Sequence, residues 1–114
     1  MVVERRDVWW TNLAEPGGSD SGARRPLLIV QADPFNRSRL RTVLAVVLSS
    51  NIRLLDAPGN VLVPAAESGL PRDAVANVAQ LVTLDRDYLD EKVGRISGEV
   101  MERIDAGLRL VLAQ

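Results

Sequence analysis

Two stretches decide the fold: Arg25-Pro26-Leu27-Leu28-Ile29-Val30-Gln31, and Thr42-Val43-Leu44-Ala45-Val46-Val47-Leu48-Ser49. The first holds the apolar run Leu27 to Val30 and the second the run Thr42 to Leu48, each of strand length and continuous, the pattern of a strand covered on both faces. The second is rich in β-branched residues, which suit a pleated backbone. Between them, Asp33-Pro34-Phe35-Asn36-Arg37 is a turn by composition. A chain organised around two such strands is predicted to be mostly β.

Working outward, Asp7 to Leu13 mixes aromatic and alternating residues and reads as a further strand. Glu15 to Ala23, with Pro16, Gly17, Gly18 and Gly22, reads as a loop. Downstream, Asp56-Ala57-Pro58-Gly59-Asn60 is a turn, Val61 to Val63 a short strand, and Ser68-Gly69-Leu70-Pro71 another break. Ala74 to Thr83 is ambiguous from its alanines, and Val75, Val82 and Thr83 tilt it to strand. In the tail, Gly94 and Ser97-Gly98 interrupt what would otherwise be one long helix. That divides it into a turn near Asp85 to Leu89, a strand near Lys92 to Ile96, and a helix capped by Ser97. Val100, Met101, Ile104, Leu108 and Val111 then fall at three- and four-residue steps and form its apolar stripe. No repeat or linker divides residues 1–114, so a single domain is expected.

Composition narrows the chemistry. Among the 114 residues there is no histidine and no cysteine. No imidazole can shuttle protons, no Ser–His–Asp triad can be built, and no thiolate nucleophile, disulfide or Cys/His zinc site is available. A carboxylate-only magnesium site is the one metal option left. No apolar run is long enough for a membrane span, and the charged N-terminus is no secretory signal. A cytoplasmic protein is expected.

The net charge of −1 hides an asymmetry. Arg24, Arg25, Arg37, Arg39, Arg41 and Arg53 are opposed within their segment by Asp33 alone, whereas residues 85–105 carry an acidic excess. This permits a basic face against an acidic one, and equally a scatter of solvated charge.

Arg6-Asp7-Val8-Trp9-Trp10, the Gly17-Gly18-Ser19-Asp20 loop, Arg25-Pro26 leading into Gln31, and Asn36-Arg37 together resemble the MazF/PemK family of bacterial toxins. The resemblance continues through Gly69-Leu70-Pro71, Gln80 and Ile104-Asp105-Ala106-Gly107-Leu108. It therefore spans the chain in order. It implies a mostly β (α+β) fold: an SH3-like antiparallel β-barrel or sheet with small helices and a C-terminal helix. It also implies a homodimeric, metal-independent, cofactor-free toxin endoribonuclease that cuts single-stranded RNA (mRNA, rRNA or tRNA) at short sequences. The implied partner is a MazE-like antitoxin whose disordered tail lies across the RNA groove. A CcdB-like gyrase poison on the same fold is the alternative.

Carried over by motif, the catalytic arginine after the Gly-rich loop falls on Arg25, and the hydroxyl closing the central strand, usually threonine, falls on Ser49. Ser19, Asp20, Gln31, Asn36 and Gln80 are the candidate RNA-binding residues. Two departures stand out: Arg6 replaces a common glycine, and Ala32 stands where asparagine or aspartate is frequent.

The chemistry is feasible with these groups. RNA cleaves itself when its 2′-hydroxyl attacks the adjacent phosphorus, leaving a 2′,3′-cyclic phosphate and a 5′-hydroxyl. Arg25 suits the charge that builds on the phosphorane oxygens, because its fork matches phosphate and stays protonated. That same property makes it a poor general base; Asp20 is the candidate for that role. Without the family match, Arg25 would read as a surface residue and Ser49 as a strand terminator. Gln31 and Gln80 could read base edges or satisfy backbone. Trp9 and Trp10 should point to opposite faces, one into the core and the other toward a base or a dimer interface.

Overall fold

The computed structural model describes residues 2–12 and 24–114. Six strands form its frame: β1 (Asp7–Thr11), β2 (Arg25–Ile29), β3 (Thr42–Ser49), β4 (Val61–Val63), β5 (Ala74–Asp85) and β6 (Leu89–Arg95). One-turn helices α1 (Asp33–Asn36) and α2 (Ala65–Ser68) interrupt them, and α3 (Gly98–Val111) closes the chain. All pairings are antiparallel, in the order β4-β5-β3-β2-β1-β6.

The two apolar runs became neighbouring strands near the centre, with Leu28 opposite Val46. Their continuity reflects burial on both faces. Val8, Leu28, Val46, Leu48 and Ala76 point to one side, where Val100, Met101 and Ile104 of α3 join them in a core. Trp9, Leu27, Ile29, Val43 and Ala45, one residue out of phase, pack a second cluster on the other side with Val3.

The sheet curls. α2, which follows edge strand β4, packs on β6 at the opposite edge. A Cβ on Gly94 of β6 would lie 2.4 Å from the Ser68 carbonyl oxygen, so the close approach requires glycine there. Gly94, read in the sequence as a helix breaker, is thus a packing residue within a strand. Glu67 adds a tether, its Oε1 accepting the Ser97 N–H at 2.8 Å.

Ser97 caps α3 as expected, its Oγ accepting the Val100 N–H at 3.2 Å. The stripe is shorter than expected. Val111 is 46% exposed and stands outside the core cluster that Val100, Met101, Ile104 and Leu108 join. Two further boundaries differ: β5 runs on to Asp85, and β6 begins at Leu89 instead of Lys92. The helical turns at Ile52–Asp56 and Ala65–Ser68 carried no sequence signal long enough to register.

β1 is tied to β6 through charge. Asp7, fully buried, has Oδ1 3.2 Å from Nζ of Lys92, the single lysine of the chain. Its Oδ2 accepts the Glu4 N–H at 2.9 Å. Nearby, the Arg5 backbone N–H donates to Asp33 Oδ1 at 2.8 Å. That bond, reinforced by the Asn36 amide, holds the Asp33 carboxyl below its usual range.

Arg6 explains its own oddity. Its φ is +81°, the left-handed region that disfavours any residue with a Cβ. The conformation is enforced by flanking bonds: its N–H donates to Ile29 O at 2.9 Å, and its carbonyl accepts the Ile96 N–H at 3.0 Å. A glycine meets this need without strain, which is why one suits the position. Arg6→Gly is therefore expected to raise stability by about 1 kcal/mol. The check is a urea titration whose midpoint rises at unchanged slope.

Candidate active site

A cleft of about 390 Å³ opens at one end of the sheet. Its walls come from four strands: Trp10 on β1, Arg25 and Pro26 on β2, Val47 to Ser49 on β3, and Ala74 and Gln80 on β5. The segment Leu70 to Asp73 leading into β5 completes it. Arg25 and Ser49, the two residues carried over from the family motif, thus share one cavity. The β2–β3 register, Leu27 opposite Val47, sets Arg25 opposite Ser49 when continued by two residues. On its other side Ser49 pairs with Val75 of β5.

Local structure fixes both groups. Pro26 biases the residue before it to an extended backbone, and Arg25 is paired with Thr11 of β1. The buried Thr11 hydroxyl also donates to the Arg25 carbonyl at 3.0 Å. The guanidinium therefore leaves from a pinned main chain. Ser49 Oγ accepts the Asn51 N–H at 3.1 Å. With that lone pair engaged, the hydroxyl keeps its own proton to donate.

Trp9 and Trp10 do separate. Trp9 is core, 6% exposed, and Trp10 is half-buried on the cleft wall. The Arg24 guanidinium lies 5.1 Å from the centroid of the Trp10 ring. Arg24 also pairs with Asp90 at 3.2 Å and Glu91 at 2.8 Å.

These ion pairs revise the charge picture. The arginine-rich segment and the acidic tail interleave instead of forming opposed faces. Arg24 meets Asp90 and Glu91, and Arg41 meets Asp85 and Asp87 at 3.3 and 2.9 Å. Asp85, hydrogen-bonded by the Asp87 N–H and by Arg41, is held below the usual carboxylate range. Positive charge in the cleft comes instead from Arg25 and from Arg72, an exposed side chain with no polar partner among the described residues. Arg72 was missed in the sequence because nothing local distinguishes it from a surface arginine after a proline.

Of the candidate binding residues, Gln80 is in the cleft and exposed. Gln31 and Asn36 are not there, and this corrects the expectation. They are 6% and 5% exposed and bind each other, Gln31 Nε2 donating to Asn36 Oδ1 and Asn36 Nδ2 donating to the Gln31 carbonyl, both at 2.9 Å. Gln31 also donates to the Thr42 carbonyl at 3.2 Å. Their amides satisfy the α1 turn, and for Gln31 this is the structural alternative the sequence left open. Ser19 and Asp20, with the whole Glu15–Ala23 loop, lie outside the described residues. Among the described residues no three acidic side chains are grouped to hold a metal ion. No described helix is long and apolar enough to cross a membrane.

The family model for the PemK-like, MazF-like toxin of type II toxin–antitoxin systems matches residues 4–112. The chain belongs to this family. It is 46% identical over 112 residues to endoribonuclease MazF6 of Mycobacterium tuberculosis, covering 98% of each chain. It is 32% identical to endoribonuclease EndoA of Bacillus subtilis, covering 99% of this chain and 97% of that one. Among solved structures, an endoribonuclease from a mycobacterial species superposes with a TM-score of 0.77 at 25% identity, covering 99% of this chain and 93% of that one. A MazE–MazF complex from Deinococcus radiodurans reaches 0.80 at 21% identity, covering 100% of this chain and 99% of that one, a likeness of fold. The antiparallel architecture with small helices and a C-terminal helix that the MazF/PemK resemblance implied is thus present, as a curled six-stranded sheet.

Proposed function

We propose that this chain is the endoribonuclease toxin of a type II toxin–antitoxin system, cutting single-stranded RNA in the cytoplasm without a metal. The observation that carries the reading is the shared cleft of Arg25 and Ser49, a forked cation and a hydroxyl donor on adjacent strands, chemistry suited to a phosphodiester. Relatives named as endoribonucleases support it, and they do not favour a CcdB-like gyrase poison.

In this mechanism the 2′-hydroxyl attacks the neighbouring phosphorus as it loses its proton to a base, for which Asp20 is the candidate. The bond to the 5′-oxygen breaks and that oxygen gains a proton from solvent. Arg25 stabilises the charge on the phosphorane oxygens, where a fixed fork of donors is worth most. The Ser49 proton donates to a non-bridging oxygen of the same phosphate. Gln80 and Trp10 meet the flanking nucleotides, by hydrogen bonding and by stacking. Arg72 holds a second phosphate of the strand. The protein works as a homodimer and is silenced by a cognate MazE-like antitoxin.

The test is cleavage of a long unstructured RNA in excess EDTA, with both new ends identified. Undiminished cutting with 2′,3′-cyclic phosphate and 5′-hydroxyl ends is expected. Cutting abolished by the chelator, or 5′-phosphate ends, overturns the mechanism. Intact RNA under all conditions overturns the function.

A further inference from the structure

Gln80 sits where β5 departs from its partner. Val46 of β3 pairs with Leu81 and the next residue, Val47, pairs with Asn77, so residues 78–80 bulge out of the ladder. Bulges of this kind re-aim side chains, and here the bulge delivers the Gln80 amide to the cleft. An amide has two unlike ends, an acceptor oxygen and a donor NH₂, and which end meets the ligand determines what it can recognise.

That choice is made by three amides in series. The Val78 backbone N–H, which can only donate, gives its proton to Asn60 Oδ1 at 3.0 Å. Asn60 must then turn its Nδ2 the other way, where it donates to the Leu54 carbonyl, which can only accept, at 2.8 Å. The same Nδ2 donates to Asn77 Oδ1 at 3.3 Å. Asn77, its oxygen so engaged, donates through Nδ2 to Gln80 Oε1 at 3.0 Å. The Gln80 Nε2 has no protein partner among the described residues. Two backbone groups of fixed polarity therefore dictate the orientation of all three side chains. Reversing Gln80 would set its NH₂ against the NH₂ of Asn77, with no acceptor between them.

We propose that Asn77 is a specificity-positioning residue, locking Gln80 as a hydrogen-bond donor that reads a carbonyl on one base of the RNA. Uracil and guanine offer a carbonyl oxygen where cytosine and adenine offer an exocyclic amine. The nucleotide beside Gln80 is accordingly a keto base. This inference rests on the ribonuclease reading of the cleft.

Asn77→Asp reverses the polarity while keeping the shape. A carboxylate at that position accepts from both Asn60 Nδ2 and Gln80 Nε2, turning Gln80 Oε1 outward as an acceptor suited to an amine. Cleavage maps on a randomised single-stranded RNA pool are compared for the wild type, Gln80→Ala, Asn77→Asp and Asn77→Leu. In the wild type, the position flattened by Gln80→Ala should favour uracil or guanine. At that position Asn77→Asp should favour cytosine or adenine by roughly three- to tenfold in relative kcat/KM. Asn77→Leu, which leaves Gln80 free to turn, should flatten the preference. These ratios compare substrates within one sample, so partial unfolding of a variant does not move them.

Asn77→Asp cutting more slowly with an unchanged map would make Asn77 merely structural and overturn the proposal. A wild-type preference for an amino base at the Gln80-dependent position would overturn it too. A map untouched by Gln80→Ala would remove Gln80 from base reading altogether. Absence of cleavage by the wild type fails the ribonuclease reading itself.

Discussion

Arg25→Ala lowers RNA cleavage by at least a hundred- to a thousandfold, on the order expected when a preorganised donor to a developing oxyanion is lost. Two features make this the largest functional effect available in the cleft. The chain has no histidine, so no imidazolium can take over the charge, and Arg72, the other guanidinium of the cleft, is assigned to a different phosphate. Ser49, the neighbouring group, supplies one neutral hydrogen bond, which is worth less than a charge-assisted bidentate pair.

The loss is not a loss of fold. Arg25 is exposed, and the strand is held there by groups the mutation leaves alone: the pairing with Thr11, the Thr11 hydroxyl on the carbonyl, and Pro26. The unfolding midpoint should stay within about 0.5 kcal/mol of wild type, as for surface substitutions generally. Arg25→Lys restores charge without the fork, and its rate should lie between the two. Near-wild-type cleavage by a folded Arg25→Ala protein would remove Arg25 from the mechanism.

Legibility in the sequence followed the range of the interaction. Continuous apolar runs gave β2 and β3, because burial on both faces leaves no room for polar alternation. The Ser97 cap and the start of the α3 stripe were equally plain, since both act within one or two helical turns. Arg25 and Ser49 were found through a motif, and the ladder then joined residues 24 positions apart in the chain.

What stayed hidden depended on partners distant in sequence. Gln31 and Asn36 looked like polar residues free to bind RNA, yet five residues apart they turn inward and satisfy one another. Gln80 reaches the cleft through a bulge created by the offset between β3 and β5, which no local pattern encodes. The interleaving of Arg24 with Asp90 and Glu91 required β6 to lie beside β1, a contact spanning most of the chain.

Gly107→Ala shows the same point with opposite signs. From sequence, a glycine inside α3 is a defect, and alanine should stabilise the helix by about 1 kcal/mol. The structure reverses this. A Cβ on Gly107 would stand 2.1 Å from the Gly59 carbonyl oxygen and 2.9 Å from its carbon. Both are backbone atoms, so no rotamer change relieves the clash. Nor can the turn retreat easily, because Gly59 holds a φ of +83° and Asn60 beside it is bound to Leu54, Asn77 and Val78. The helix would have to lift from the core that Val100, Met101 and Ile104 share with the sheet. The expected result is a net loss of about 2–3 kcal/mol, the range of overpacked interiors. That corresponds to a fall in Tm of roughly 10 °C for a domain of this size. A melting temperature at or above wild type would mean that α3 and the Gly59 turn separate without loss, and that helix propensity governs the position after all.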